Sequence, residues 1–182
     1  VSQLTKAIND AKADGVIAVG GDGTLKLVAE CLVDTDIPIG IIPTGSANGM
    51  AKELAIPLDL KEALAVAAIG NTKKIHAIRV NDELCIHLSD IGFNAHLVKK
   101  FDDLPNRGMW TYAKAAWSAF WIKRKMQAQL NIDGRILKSD AAMIVVANAT
   151  KYGTGLQISP DGKLDDELFE VILIKEYAVL EI

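Results

Sequence analysis

The chain has 182 residues, half of them hydrophobic, and a formal net charge of −3. This length is enough for one large or two small domains with a real core, and the weakly acidic balance gives no electrostatic reason to expect nucleic acid as a partner. No apolar run approaches the roughly 18 residues that a membrane-spanning helix needs. The two cysteines and three histidines lack metal-ligand spacing, so we expect no Cys/His metal site.

The first elements in chain order are a helix and a strand. Four apolar residues share one face of the predicted helix: Leu4, Ala7, Ile8 and Ala11. Asp14-Gly15 ends this helix, and the β-branched run from Val16 to Val19 predicts a buried strand.

A glycine turn follows this strand: Gly20, Gly21, Asp22, Gly23 and Thr24, before helix-forming residues that run to about Val33. A strand, a glycine turn and a helix build a phosphate site, because glycines let an oxyanion approach the amides and the helix directs its free N–H groups at it. Asp22 would repel a bare phosphate; its natural roles are Mg²⁺ coordination, a hydrogen bond to a hydroxyl, or general base. Thr24 can cap the helix or bond a phosphate oxygen. Taken alone, the turn could also be only a tight loop.

A second glycine and hydroxyl turn follows the next predicted strand, which runs from Ile37 to Ile42. This turn contains Pro43, Thr44, Gly45, Ser46, Ala47, Asn48 and Gly49. If the two strands are adjacent and parallel, both turns lie at their carboxyl ends, where open α/β sheets bind ligands.

The two turns together resemble the catalytic domain of the diacylglycerol kinase and sphingosine kinase superfamily, and within it the soluble bacterial lipid kinases. The second motif of that family usually reads Pro-x-Gly-Thr-x-Asn-Asp. This chain has Ser46 for the threonine and Gly49 for the aspartate, which removes a carboxylate. NAD kinases share the first motif, but their usual Asn-x-Gly-x-Leu-Gly-Phe is absent here.

The resemblance implies a kinase that uses ATP and Mg²⁺. The residues that would hold the nucleotide phosphates are Gly20, Gly21, Gly23, Thr24, Thr44, Gly45, Ser46 and Asn48. Asp22 would also lie at the nucleotide, where it would orient Mg²⁺ or serve in proton transfer. The resemblance also implies further N-terminal strands before residue 1, so we expect the chain to be the middle of a larger protein.

Two more helices are predicted before the pattern changes. One runs from Asn48 to about Leu54. The other begins after Asp59, an N-cap with Glu62 at capping-box spacing, and ends at Gly70-Asn71. Its expected buried face consists of Leu60, Ala63, Leu64, Ala67 and Ala68.

From Thr72 the hydrophobic period becomes two. Hairpins are predicted around Asn81-Asp82 and Asp133-Gly134, with further strands at 141–147 and 168–174. The predicted fold is a partial parallel α/β nucleotide domain over residues 1–71, followed by an antiparallel β-sandwich-like domain over residues 72–182. In the resembled family the active site lies in the cleft between them.

One helix, from Gly108 to about Arg124, interrupts the β part and carries all three tryptophans on one face: Trp110, Trp117 and Trp121. It could lie on a lipid surface, or it could pack on the sheet or on another subunit, which leaves a homodimer open. Aromatic stripes at helical spacing are usually core, so packing is favoured.

Three stretches of the β part resemble family segments. Residues 91–95 resemble Gly-x-Gly-x-Asp-Ala, and Asn148 with residues 152–155 resembles a cleft-wall segment. Asp165 and Asp166 resemble an aspartate pair that is implicated in metal binding and in taking the proton of the lipid hydroxyl, a step that a poorly nucleophilic alcohol needs. Glu167 replaces the usual glycine of that stretch. On the sequence alone, the pair could be a solvated acidic turn.

The resemblance therefore favours an ATP-dependent lipid kinase, cytoplasmic and in peripheral contact with a membrane. Its acceptor would be diacylglycerol, a long-chain base or phosphatidylglycerol. Two alternatives stay open: an NAD kinase-like enzyme with a soluble acceptor, and a non-catalytic nucleotide-binding or lipid-sensing protein.

Overall fold

The computed structural model describes residues 1–92, 125–152, 155 and 157–175. The chain forms two compact units, Val1–Leu88 with Ala147–Glu170, and Ser89–Val146 with Val171–Ile182. It thus returns to the first unit at residue 147. The domain boundary at residue 71 stays a prediction.

A pair of parallel strands organises the first unit. Strand β1 (Val16–Gly20) pairs with β2 (Ile39–Pro43) in a register that runs from Val16 opposite Ile39 to Gly20 opposite Pro43. The Thr44 N–H donates to the Gly20 carbonyl at 3.0 Å and extends the pairing. The expectation of adjacent parallel strands is confirmed, and both glycine turns leave the same edge of the sheet. Strand β2 begins at Ile39 rather than at Ile37.

Four helices belong to this unit: α1 (Ser2–Ala11), α2 (Asp22–Leu32), α3 (Gly49–Glu53) and α4 (Leu60–Ile69). Helix α2 begins earlier than predicted, because Gly21 is its N-cap and the Leu25 N–H already bonds the Gly21 carbonyl at 3.0 Å. Gly23 and Thr24 therefore lie in the first turn of α2. Of the two roles open to Thr24, capping of this helix is wrong, and a bond to a phosphate oxygen stays a prediction.

Helix α4 has the predicted ends but not the predicted buried face. Asp59 Oδ1 accepts the Lys61 and Glu62 amides at 2.9 and 3.1 Å, and Gly70 ends the helix with φ 73°. Of the five expected core residues only Ala63 is fully buried, whereas Leu60 and Leu64 are 54% and 46% exposed. The helix approaches β2 through small residues: a Cβ built on Gly40 would lie 3.4 Å from the Ala67 Cβ.

One apolar core joins distant parts of the first unit. Its fully buried members are Ile8, Ala18, Leu25, Val28, Leu32, Met50, Leu84, Ile86, Ala149 and Leu164. Burying a side chain such as leucine contributes about 1.5–3 kcal/mol. Because Ala149 and Leu164 belong to the same core as Leu25 and Val28 of α2, the segment after residue 147 is anchored in the core that also holds α2.

The remaining strands are antiparallel hairpins and one three-stranded sheet. Strands β3 (Ile78–Val80) and β4 (Glu83–Cys85) flank Asn81-Asp82, and β6 (Met126–Ile132) and β7 (Arg135–Ala141) flank Asp133-Gly134. All four turn residues have positive φ, as tight hairpins require. Both hairpin predictions are confirmed.

The three-stranded sheet has the order β5–β8–β9, formed by Leu88–Gly92, Met143–Ala147 and Glu170–Ile174. Strand β8 starts after Ala141, which belongs to β7, and β9 starts two residues later than expected. The predicted tryptophan helix lies outside the described residues. Among the described helices, none is long and apolar enough to cross a membrane.

Candidate nucleotide site

The Asp22 carboxylate joins the two glycine turns. Its Oδ2 accepts the Gly49 amide and its Oδ1 accepts the Met50 amide, both at 2.9 Å. Asp22 lies in the first turn of α2, whereas the two amides are the first of α3. Hydrogen bonds to an ionised carboxylate are roughly twice as strong as neutral ones. Asp22 therefore holds the second turn against the first, a structural role that its sequence context does not indicate.

The backbones of the two turns touch at Gly21 and Gly45. A Cβ built on Gly45 would contact the Gly21 Cα and lie 3.0 Å from the Gly21 nitrogen. A Cβ built on Gly21 would lie 3.1 Å from the Gly45 Cα. Contacts this short leave no room for a side chain, so glycine at both positions is what lets the two turns meet.

Asn48 closes the second turn on itself. Its Oδ1 accepts the Gly45 amide at 2.9 Å, and its Nδ2 donates to the Gly45 carbonyl at 2.7 Å. The residue is buried and adopts φ 52°, a left-handed conformation that asparagine tolerates better than most residues. Asn48 therefore shapes the turn, while the side chains of Thr44 and Ser46 beside it are exposed.

The start of α2 offers open hydrogen-bond donors. Its N-cap, Gly21, has no side chain to cap the first amides. Gly23 and Thr24 are exposed, and a Cβ built on Gly23 would meet nothing within 4 Å in the described structure. The free N–H groups and the positive end of the helix dipole can therefore receive an oxyanion at this point.

His87 is a neighbour of this site that sequence reasoning missed. A Cβ built on Gly49 would lie 2.5 Å from His87 Cε1 and 3.1 Å from Nδ1. Burial lowers the pKa of His87, and the nearby carboxylates of Asp22 and Glu53 oppose this in part. Nε2 is buried and has no hydrogen-bond partner among the described residues. The sequence shows only a histidine in a strand-like run, so nothing local marks it.

The segment that starts at residue 147 is tied to α3 and to His87. Glu53 accepts both the amide and the hydroxyl of Thr150, at 3.1 and 2.9 Å. The His87 carbonyl accepts the amides of Asn148 and Ala149 at 3.0 and 3.1 Å. These bonds fix the start of the segment that carries the predicted acidic pair.

Asn148 is 1% exposed and bridges two parts of the chain. Its Nδ2 donates to the carbonyls of His76 and Ile86 at 2.8 and 3.2 Å. Its Oδ1 is buried without a partner among the described residues. Gly153 and Thr154, which belong to the same predicted segment, lie outside the described residues, as do residues 93–95.

The predicted acidic pair lies on the surface of the same unit. Lys73 Nζ is 3.0 Å from Asp165 Oδ2, and this pairing lowers the pKa of Asp165. Asp166 Oδ1 accepts the Leu168 amide at 3.1 Å. Leu164 is buried in the core beside them, and its carbonyl accepts the His76 amide at 2.7 Å. Within the described residues no hydrogen bond joins either aspartate to Asp22.

Two protein-family models match the chain. A model of the diacylglycerol kinase catalytic domain matches residues 1–80, and a model of the YegS C-terminal NAD kinase beta sandwich-like domain matches residues 89–182. The chain belongs to the diacylglycerol kinase/YegS family.

Several relatives resemble the chain over most of its length. A protein of Synechocystis, described as uncharacterized, is 35% identical over 91% of this chain and 41% of its own length. An Enterobacter protein named "Probable lipid kinase YegS-like" is 28% identical over 86% of this chain and 54% of its own length. A "Diacylglycerol kinase" of Mycobacterium tuberculosis is 28% identical over 88% of this chain and 54% of its own length. The chain thus spans about half the length of these relatives.

The fold agrees with the family. The crystal structure of a diacylglycerol kinase from Bacillus anthracis matches with a TM-score of 0.72 and 23% identity, over 94% of this chain and 58% of that one. The predicted α/β part followed by a β-sandwich-like part is confirmed.

Two departures from the family pattern have structural consequences. Gly49, where the family usually has aspartate, leaves the space that the His87 ring fills. Glu167, where the family usually has glycine, adopts φ 61°. The turn after the acidic pair therefore keeps a left-handed conformation that glycine adopts without strain.

Proposed function

We propose that the protein to which this chain belongs is an ATP-dependent lipid kinase, which transfers a phosphoryl group to the hydroxyl of a lipid. One observation carries the proposal: two glycine turns meet in backbone contact beside the open start of α2, and Asp22 holds them together. Phosphoryl transfer needs mostly positioning and charge neutralisation. The two glycine turns and the start of α2, which together we call the nucleotide cradle, can supply both. The names of the relatives support a lipid acceptor.

Each predicted site residue has a role in this proposal. The backbone of Gly20, Gly21 and Gly23 admits the phosphates to the amides at the start of α2, with Thr24 beside them. The hydroxyls of Thr44 and Ser46 are exposed and able to donate to phosphate oxygens. Gly45 and Asn48 contribute by keeping the second turn in shape.

Asp165 or Asp166 would take the proton of the acceptor hydroxyl as the attack proceeds. Lys73 favours the ionised form of Asp165, the form that a base needs at the start of the reaction. Asp166 is tied to the Leu168 amide, which fixes its orientation. The two carboxylates thus differ in a way that experiment can separate.

The residues fit an Mg²⁺ ion that is held mainly by the nucleotide. No cluster of three or more metal-ligating side chains occurs among the described residues, and Mg²⁺ commonly uses one or two carboxylates together with substrate phosphates. Asp22 is the carboxylate at the cradle, and each of its oxygens retains a free lone pair beside its amide bond. When bound, the ion would neutralise charge on the phosphates.

A lipid acceptor places the reaction at a membrane surface, so the proposal includes a cytoplasmic protein in peripheral contact with the membrane and a part in lipid metabolism. A homodimer is compatible with it. The acceptor class is taken from the family, and no described residue selects among diacylglycerol, a long-chain base and phosphatidylglycerol.

The test is a transfer assay with the full-length protein. Labelled ATP and Mg²⁺ are incubated with vesicles that contain each of these lipids in turn, or with NAD, and the products are separated by thin-layer chromatography. We expect label in one lipid and none in NAD. The Asp22→Ala variant should lose turnover by orders of magnitude. Label in NAD alone would favour the NAD kinase-like alternative, and nucleotide binding without transfer to any acceptor would favour the non-catalytic one.

A further inference from the structure

We propose that His87 is a positioning residue of the nucleotide cradle: its imidazole fills the space beside Gly49 and keeps the Gly49 and Met50 amides on the Asp22 carboxylate. The positioning stands on geometry alone, whereas its effect on turnover rests on the proposed function. No resemblance or comparison assigns a role to this residue.

The contact between ring and backbone is close. A Cβ built on Gly49 would lie 2.5 Å from His87 Cε1, 3.1 Å from Nδ1 and 3.2 Å from Nε2, so the ring stands directly over the Gly49 Cα. Gly49, Met50 and Ala51 are all buried. The start of α3 is thereby packed under the ring and cannot shift toward it.

His87 is itself held from its other side. Its carbonyl accepts two amides, from Asn148 and Ala149. The backbone of Lys151 raises the pKa of the ring and so opposes the effect of burial. The backbone of His87 is bonded to the 148–151 segment, and its ring packs on Gly49. The position of that segment therefore affects the position of the start of α3.

The same region contains the carboxylates that face the ring. They are Asp22 on α2, which bonds the Gly49 and Met50 amides, and Glu53 on α3, which bonds Thr150. Both carboxylates are already engaged by donors, so the ring is not required as their partner. The ring instead keeps the Asp22 oxygens within hydrogen-bond distance of the two amides. A hydrogen bond weakens when this geometry is lost.

The test measures the two amides directly in the full-length protein. Amide hydrogen exchange is compared for wild type, His87→Ala, and the control His76→Ala, whose histidine is exposed in the same unit. We expect exchange at Gly49 and Met50 to accelerate by about tenfold or more in His87→Ala, because a local opening becomes easier, and to be unchanged in His76→Ala. The KM for ATP should rise by about tenfold with a smaller change in kcat.

A double-mutant cycle shows whether the ring acts through position 49. Gly49→Ala should also accelerate exchange at Met50, because its Cβ displaces the ring. In the His87→Ala background the same methyl enters vacated space, so its effect should be reduced or reversed. If His87→Ala does not fold, His87→Asn, a smaller side chain that keeps a polar group, takes its place in the same cycle.

Two results would overturn the inference: unchanged exchange at both amides after the loss of the ring, or independent effects of the two substitutions. Faster exchange in a protein whose wild type transfers no phosphate to any lipid would leave the positioning role standing and reject the proposed function. Faster exchange with an unchanged KM for ATP would show that the cradle tolerates the shift, and would reject the part of the inference that concerns turnover.

Discussion

Asp22 accepts the Gly49 amide at 2.9 Å, so a carboxylate in the first turn of α2 caps the start of α3. The amides that a second phosphate turn would otherwise offer at this point are already occupied. The open amides are those at the start of α2 itself. Under the proposed function the two turns would have different tasks, with the first holding the phosphates and the second supporting it.

The first prediction concerns this capping carboxylate. Asp22→Asn should lower the free energy of unfolding by about 1–3 kcal/mol, because its Nδ2 group would face a backbone N–H and leave that donor unpaired. Urea unfolding measures the loss. Asp36→Asn is the matched control, since Asp36 pairs with Lys74 at an exposed position, and it should change stability by less than about 0.5 kcal/mol. Wild-type stability in Asp22→Asn would show that the two amides find other partners.

The second prediction separates glycines that serve packing from a glycine that serves binding. Gly45→Ala should destabilise the protein by about 1–3 kcal/mol, because its methyl group would overlap the Gly21 backbone. Gly23→Ala should keep stability or raise it by up to about 1 kcal/mol, since it lies in a helix and meets no described atom.

The same pair of variants also tests the cradle. The Gly23→Ala methyl would stand where a phosphate is expected to approach, so the KM for ATP should rise in a protein that is as stable as wild type. Thermal unfolding measures the stability of each variant, and ATP-dependent kinetics measures its KM for ATP. An unchanged KM for ATP in Gly23→Ala would argue that the phosphates bind elsewhere.

The third prediction assigns the base. Lys73 lowers the pKa of Asp165, so in Lys73→Met the pKa of this carboxyl should move up toward its ordinary range. If Asp165 takes the proton, the acid limb of the kcat/KM profile should shift to higher pH in this variant. A limb that stays in place would indicate that Asp165 is not the base. Lys74→Met is the control, because Lys74 pairs with Asp36 instead.

The free energy of unfolding should also depend on the ionisation of Asp165. Because the pKa of Asp165 is lower in the folded chain than in the unfolded chain, its contribution is present above the unfolded pKa and is lost as the pH falls through the folded pKa. The pair is exposed, so this contribution is small. Kinetics, rather than unfolding, therefore provides the decisive measurement for this pair.

The fourth prediction is a pH dependence from His87. Burial lowers its folded pKa, so as the pH falls below about 6.5 the unfolded chain takes up a proton first and the free energy of unfolding decreases. The decrease ends once the pH is below the folded pKa. His87→Gln should flatten the curve in this window. A curve that is unchanged in His87→Gln would mean that His87 does not titrate differently in the folded state.

The local features of the fold could be predicted from the sequence. Asp59 is an N-cap because its carboxylate reaches amides two and three residues away, and that spacing is visible in the sequence. Asp133-Gly134 forms a tight hairpin because both residues tolerate positive φ. The parallel pairing of β1 and β2 followed from two apolar runs that each end in a glycine turn.

The contacts that the sequence could not reveal are all distant in the chain. Asp22 reaches amides on another helix, and the His87 ring lies over Gly49; neither partner is marked by periodicity or by spacing. The buried face of α4 was mispredicted for a different reason. Its close approach to β2 uses alanine and glycine, so its leucines remain exposed although their spacing is typical of a core.

The fifth prediction concerns Asn148, whose Nδ2 group donates to the carbonyls of His76 and Ile86. Asn148→Asp would place a carboxylate oxygen against two carbonyl oxygens at a position that is 1% exposed. A buried, unpaired charge costs several kcal/mol unless the group is protonated, so we expect the variant to be strongly destabilised at neutral pH and partly restored in acid. Urea unfolding at the two pH values measures this.

Asn131→Asp is the control for that substitution, because Asn131 is exposed in β6 and gains the same charge at the surface. It should show no recovery in acid. If Asn148→Asp were as stable as wild type at neutral pH, the His76 and Ile86 carbonyls would not depend on this side chain. The bridge between the β3–β4 hairpin and the segment after residue 147 would then rest on backbone bonds, which are those to the His87 carbonyl and the one from the His76 amide to the Leu164 carbonyl.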